Sequence, residues 1–177
     1  MRQAELTIKR FKEMAAGVFS ESQIKRMKHM GFFVKPASLK HHGQKNGDLY
    51  THSLMIYELL REWTEKGLIK WEAERSPMVI AFMHDMCKTD DYTWNCDEEE
   101  WQWNEGALLP GHGDKSVIIA TSFFPDLTEE EMMCIRYHTG AFEGKHMWNN
   151  YTNAVKRYPN ILWVHQADML ASQVYGV

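Results

Sequence analysis

Apolar side chains recur every three or four residues along most of this chain, and this periodicity restricts the fold more than any other feature. Ser76 is predicted to be the N-cap of a helix whose first residue is Pro77, Thr128 is a second start signal, and Gly67 provides a stop signal. The spacing predicts helices over 4–17, 21–30, 48–66, from 76 through 88, over 113–124, from 128, and over 148–157 and 160–174. We therefore expect an all-α fold, a single-domain helical bundle.

The segment 89–111 interrupts this helical periodicity. Tyr92 and Trp94 precede a short acidic run, and Trp101 and Trp103 follow it, which predicts a small β-hairpin near residues 92–103. Its rings could stack on a nucleobase, since an aromatic face suits any base. They could instead pack on the bundle as core or lid, because large aromatic rings stabilise a fold by burial. We favour packing.

Length and composition fit one domain. The chain has 177 residues, of which 44% are hydrophobic, so it can bury a sizeable core without disulfides. We expect a single domain over 1–177, with N-terminal helices in 1–35 packing on a bundle formed by 36–177. The net charge of −4 argues against a nucleic-acid polymer as partner, because such binding needs a clustered basic surface.

No apolar run approaches the length of a transmembrane helix, and charges interrupt the N-terminal segment every few residues. We therefore expect no membrane partner. The three cysteines, Cys87, Cys96 and Cys134, form no CxxC pair and fit reduced thiols. These features predict a cytoplasmic location.

Six histidine and aspartate residues stand out from this pattern because of their spacing. They are His52, His84, Asp85, His112, His138 and Asp168. Apart from the adjacent pair His84-Asp85, successive members follow after gaps of roughly 30 residues, about the length of one helical hairpin. Such a gap can return one polar group per pass to the same level of a bundle, as in metal sites built from facing helices.

Helical position supports the same interpretation. His52 lies four residues before Ile56, and Asp168 lies four residues after Val164, so both are predicted to face the core. An ionised aspartate in a core is costly unless it is paired or bound to a cation. Each residue alone could be an ordinary hydrogen-bonded or salt-bridged group. Together, in this order and spacing, they favour a metal site.

The order H…HD…D, here His52, His84-Asp85 and Asp168, resembles the signature of the HD superfamily of metal-dependent phosphohydrolases. The segments PASLKHHGQKNGDLYTHSLMIYELL and VIAFMHDMCK are similar to its ligand helices. GHGDKS and IRYHTG resemble the extra histidine segments of its binuclear branch. The resemblance covers about residues 36–172 and implies an HD-type helical bundle. One departure is Gly47-Asp48, where many relatives have two glycines.

The resemblance implies two divalent transition-metal ions, of Fe, Mn, Co, Ni or Zn. The first ion is expected to bind four side chains: His52, His84, Asp85 and Asp168. Asp85 would bridge to a second ion, which His112 and His138 would complete. Such a pair activates a water for attack on the phosphorus of a small phosphorylated substrate, such as a nucleotide.

Further residues are predicted to act on that substrate. Lys88 follows Asp85 by three residues and shares its helix face, so we assign catalytic roles to Asp85 and Lys88. Lys115 and Ser116 follow His112 by three and four residues and are predicted to bind substrate. For both lysines the alternative is an ordinary ion pair with a nearby aspartate.

His41 and His42 precede the first ligand helix and are further candidates for substrate binding. Two other functions remain open. A di-iron oxygenase resembling myo-inositol oxygenase would use the same ligand set with O₂, and the chain could also be a non-catalytic metal-binding module. A complete set of six ligands argues against the second of these.

Overall fold

Helices fill most of the chain, and one short hairpin interrupts them. The computed structural model describes residues 2–40, 43–142 and 144–177. Its helices are α1 (Arg2–Met14), α2 (Glu21–His29), α3 (Asp48–Glu65), α4 (Ser76–Met83), α5 (Lys88–Asp91), α6 (Gly113–Phe123), α7 (Glu129–Arg136), α8 (Trp148–Arg157) and α9 (Asn160–Met169). Its strands are β1 (Tyr92–Asn95) and β2 (Glu100–Trp103). The predicted all-α fold with a small hairpin is confirmed.

Capping residues explain several helix boundaries. The side chains of Ser20 and Thr128 each accept a hydrogen bond from the backbone N–H of the third residue of the helix that follows, and the side chains of Gln23 and Glu131 accept one from the backbone N–H of the cap. Gly67, after α3, has a φ of 73°, a left-handed conformation that costs glycine least. The predicted start signal at Thr128 and the predicted stop signal at Gly67 therefore act as expected.

Helix α4 differs from the prediction at both ends. Ser76 is its first residue rather than its cap, and the Ser76 hydroxyl donates to Glu131 Oε1 at 3.0 Å. The helix ends at Met83, so it does not run through Lys88, and residues 84–87 form a turn. The backbone of that turn stays right-handed at His84 and Cys87. Asp85 and Lys88, three residues apart, therefore still lie on the same side of the backbone and contact each other.

Helix α4 is the centre of the bundle. All its residues are buried, which is typical of a helix surrounded by others on every side. Phe82 on α4 contacts Phe11 on α1, with ring centroids 4.8 Å apart, and stacks on Tyr50 of α3 at 6.1 Å. Close aromatic packing of this kind stabilises a core beyond the area that it buries. The C-terminal end of α4 thus delivers His84 and Asp85 to the middle of the fold.

The hairpin is antiparallel and carries its aromatic residues as cross-strand pairs. Tyr92 pairs with Trp103 and Trp94 with Trp101, with ring centroids 5.1 and 5.4 Å apart. Lys35 Nζ donates to the carbonyl oxygen of Tyr92 at 2.7 Å, which fixes the base of the hairpin. Within the described residues, no helix has the length and apolarity needed to cross a membrane.

Candidate metal centre

The six predicted residues come together in the middle of the bundle. Helix α3 supplies His52, the end of α4 supplies His84 and Asp85, the residue before α6 is His112, the turn after α7 supplies His138, and α9 supplies Asp168. Four of the six side chains are no more than 2% exposed. The predicted convergence of helices on one point is therefore present.

Asp85 lies at the centre of the four imidazoles. Its Oδ1 is 3.0 Å from His112 Nε2 and 3.7 Å from His138 Nε2. Its Oδ2 is 3.3 Å from His84 Nε2 and 3.6 Å from His52 Nε2. Two groups with metal-ligand geometry share this carboxylate, and the ligand atoms within each lie within 4.8 Å of one another. These groups could hold a metal ion.

Asp168 joins the first group through His52. Its Oδ1 lies 3.1 Å from His52 Nε2, and the side chain is 20% exposed. Burial alone would raise the pKa of Asp168, but the adjacent imidazoles, His52 first and then His138, lower it below its ordinary value. Asp168 is therefore ionised at neutral pH and available as a ligand.

Backbone oxygens fix the orientation of three imidazoles. The pairs are His52 Nδ1 with Val177 O at 2.9 Å, His84 Nδ1 with Ala81 O at 2.8 Å, and His138 Nδ1 with Ile135 O at 2.8 Å. A carbonyl oxygen can only accept, so each Nδ1 carries the proton. In a neutral ring, Nε2 then presents a lone pair to the centre, which is the arrangement usual for metal-binding histidines.

This orientation makes the Nε2 lone pairs of neighbouring histidines face each other. His52 Nε2 and His84 Nε2 lie only 3.3 Å apart, and neither lone pair can donate to the other. Asp85 Oδ1 is buried and makes no hydrogen bond within the described part of the chain, although His112 is near. Facing lone pairs beside a buried carboxylate are costly unless a cation lies between them. The residues present therefore fit bound metal ions.

His112 is held differently from the other three. Its Nδ1 lies 3.1 Å from Cys87 Sγ, and its side chain is 39% exposed. Burial alone would lower the pKa of His112, but Cys87 and Asp85 raise it above its ordinary value. Burial and then the charge of His112 lower the pKa of His138, whose Nε2 is 3.0 Å from His112 Nε2.

Gly113 allows His112 to reach His138. A Cβ at position 113 would stand 2.1 Å from the carbonyl oxygen of Arg136, so no other residue fits at this contact. The start of α6 therefore lies directly against the end of α7. Sequence reasoning did not identify Gly113 or Cys87 as part of the centre. The only signal was their position beside the predicted ligands.

Lys88 lies beside the centre as predicted. Its Nζ is 2.5 Å from Asp85 Oδ2, and the side chain is buried. Burial alone would lower the pKa of Lys88, but the charge of Asp85 raises it well above its ordinary value. Burial likewise would raise the pKa of Asp85, which Lys88 and His84 hold well below its usual range. The ammonium is therefore charged, while its catalytic role stays a prediction.

Other predicted substrate residues have structural contacts. Lys115 Nζ is 2.5 Å from Asp90 Oδ2 and 2.6 Å from Asp91 Oδ1, which is the alternative that the sequence left open. Ser116 Oγ accepts a hydrogen bond from the backbone N–H of Cys87 at 3.1 Å. Their contact with substrate stays a prediction. His41 and His42 lie outside the described residues.

Comparison with protein-family models, with curated proteins and with solved structures finds no match for this chain. The site is therefore interpreted from its own chemistry.

Proposed function

We propose that this protein is a metal-dependent phosphohydrolase of the HD superfamily that hydrolyses a small phosphoester, such as a nucleotide. The observation that carries the proposal is the pair of facing lone pairs on His52 and His84 beside the buried carboxylate of Asp85. Burying these groups together costs free energy, and bound cations would remove that cost. The order of ligands along the chain supports the family assignment.

Two divalent transition-metal ions fit the two overlapping groups. We assign one ion to His52, His84, Asp85 and Asp168. We assign the other to His112 and His138, with Asp85 shared between the two. Ions held in this way lower the pKa of a water and neutralise charge on phosphoryl oxygens. Imidazole and carboxylate ligands suit Fe, Mn, Co, Ni or Zn.

The chain itself contributes orientation and positive charge. The backbone oxygens of Ala81 and Ile135 hold two imidazoles in one tautomer, so the ligands need no reorganisation when ions bind. The Lys88 ammonium, 2.5 Å from Asp85, is placed to neutralise a phosphoryl oxygen at the centre. A fixed cation at this point favours an anionic substrate over the uncharged substrate of an oxygenase.

Three side chains at the centre are partly exposed to solvent. The side chains of His112, Asp168 and Lys88 are 39%, 20% and 11% exposed, whereas His52 and His84 are fully buried. Substrate and the attacking water would enter where these three residues lie. Cys87 and Cys134 are buried, and Cys96 is exposed and also free, which suits a reducing compartment. We infer a cytoplasmic location.

Elemental analysis followed by an activity panel tests the proposal. Purified protein should contain first-row transition metal, and loading with Mn, Fe, Co, Ni or Zn should restore phosphate release from phosphomonoesters, phosphodiesters or nucleotides after chelation. Oxygen consumption by an iron-loaded form without phosphate release would favour the oxygenase. Failure of the folded protein to bind any of these metals would contradict both.

A further inference from the structure

A cavity of about 340 Å³ lies between the hairpin and the segment 37–40. It is lined by that segment together with Lys88, Tyr92 and Trp103. Lys88 is buried and contacts Asp85, so it marks the end of the cavity toward the metal centre. Trp103 is 57% exposed and marks the end toward solvent. The cavity therefore adjoins the proposed active site at Lys88.

The exposed indole of Trp103 is held firmly in place. Its ring meets the buried ring of Tyr92 edge to face, with centroids 5.1 Å apart. The next residue, Asn104, donates from its backbone N–H to the carbonyl oxygen of Asp91 at 2.7 Å. A large apolar ring that is fixed but more than half exposed loses little entropy when a ligand packs on it. Trp103 has the properties of a stacking platform.

We propose that this cavity binds a planar ring carried by the phosphoester substrate, such as the base of a nucleoside monophosphate. The phosphate lies at Lys88 and the ring stacks on Trp103. The volume falls within the range of roughly 300–1,000 Å³ usual for small-molecule sites. Charge at one end and an aromatic face at the other match a ligand with an anionic group and a flat ring. The phosphate end of this proposal rests on the proposed function, whereas the ring end rests on the cavity alone.

The hairpin offers a matched control. Trp94 is 43% exposed, also belongs to a cross-strand aromatic pair, and contacts Trp101 at 5.4 Å. It lines a different cavity, whose other walls include Lys45 and Asn46. Truncation of Trp94 removes an exposed indole from the same hairpin and leaves the cavity next to Lys88 intact.

The test compares adenosine 5′-monophosphate with ribose 5-phosphate, which has the same phosphoester and sugar but no base. Both probes are offered to metal-loaded wild-type protein and to Trp103→Ala, Trp103→Phe and Trp94→Ala. KM is measured where a probe is hydrolysed and Kd by calorimetry where it is not. Far-UV circular dichroism and metal content verify that each variant is folded and loaded.

We expect wild-type protein to favour the nucleotide over the sugar phosphate by roughly 10-fold, the effect of stacking one base on an aromatic side chain. Trp103→Ala should remove this preference, Trp103→Phe should keep part of it, and Trp94→Ala should keep all of it. Equal recognition of both probes by wild-type protein would overturn the proposal, as would an unchanged preference in Trp103→Ala. A Trp103-dependent preference without phosphate release would refute the proposed hydrolase while the ring site stands. Release of phosphate from both probes with no preference would refute the ring site and leave the proposed hydrolase standing.

Discussion

Gly113 lies directly against the carbonyl oxygen of Arg136, and a Cβ at position 113 would stand 2.1 Å from that oxygen. Because backbone cannot move aside as a side chain can, Gly113→Ala should separate the start of α6 from the end of α7. We expect a loss of about 1–3 kcal/mol in the free energy of unfolding. His112 should also lose its place beside His138, so binding of the second ion should weaken more than binding of the first.

Urea titration and metal analysis of Gly113→Ala check this expectation. Gly106→Ala is the control, because a Cβ there meets only the end of the Asn104 side chain at 3.3 Å. Gly113→Ala with wild-type stability and wild-type metal content would show that the contact between α6 and α7 does not position His112.

Cys87 should act on the second ion through His112. Its sulfur lies 3.1 Å from His112 Nδ1, in the place that backbone oxygens occupy for the other three imidazoles. Loss of such an orienting partner typically weakens metal affinity about 10–100-fold. We expect Cys87→Ala to lower occupancy of the second ion and Cys87→Ser, which keeps an acceptor, to retain more. Cys134→Ala is the matched buried-cysteine control, and equal metal affinity in both alanine variants would refute this role.

Lys88→Ala should separate catalysis from metal binding. The Lys88 ammonium contacts Asp85 but is not a metal ligand, so both ions should remain bound. Loss of positive charge beside the phosphoryl group should lower kcat more than it raises KM, since the charge matters most in the transition state. Metal analysis and steady-state kinetics measure the two effects. Full turnover in Lys88→Ala would contradict the role assigned to this lysine.

Lys115→Met should lower the stability of the fold and leave turnover nearly unchanged. The buried Lys115 ammonium pairs with Asp90 and Asp91, and its loss leaves the largely buried Asp91 without its cation. We expect a loss of roughly 2 kcal/mol in unfolding free energy, less than a fully buried pair because Asp90 is partly exposed. Thermal unfolding gives the stability, and kcat of the folded variant should stay near that of wild type. A large fall in kcat at unchanged stability would contradict this purely structural role and support the predicted contact of Lys115 with substrate.

Periodicity was sufficient to predict the helices and to place His52 and Asp168 on core-facing positions, because a helix converts spacing directly into direction. A different signal predicted the hairpin, namely four aromatic residues that flank a short polar turn where the periodicity stops. Periodicity has limits even in the helices. It could not give the end of α4 at Met83, where the helical pattern continues past the helix itself.

Contacts between segments that are distant in the sequence could not be predicted from local sequence patterns. Cys87 and His112 are brought together by the path of the segment between them, and no local pattern encodes that path. The pairing of Lys115 with Asp90 and Asp91 was one of two alternatives, and it depends on the position of α6 relative to α5. The close approach at Gly113 likewise depends on tertiary structure, because a glycine beside a ligand has several local explanations.

The central claim is that Asp85 joins two metal-binding groups, and metal content measured beside kinetics tests it most directly. Wild-type protein should bind about two ions per chain, and His138→Ala should keep about one while turnover falls by orders of magnitude. Asp85→Ala should lose most metal and all activity, because both groups contain this carboxylate. A folded Asp85→Ala variant with wild-type metal content, or a His138→Ala variant with wild-type metal content and turnover, would contradict the account.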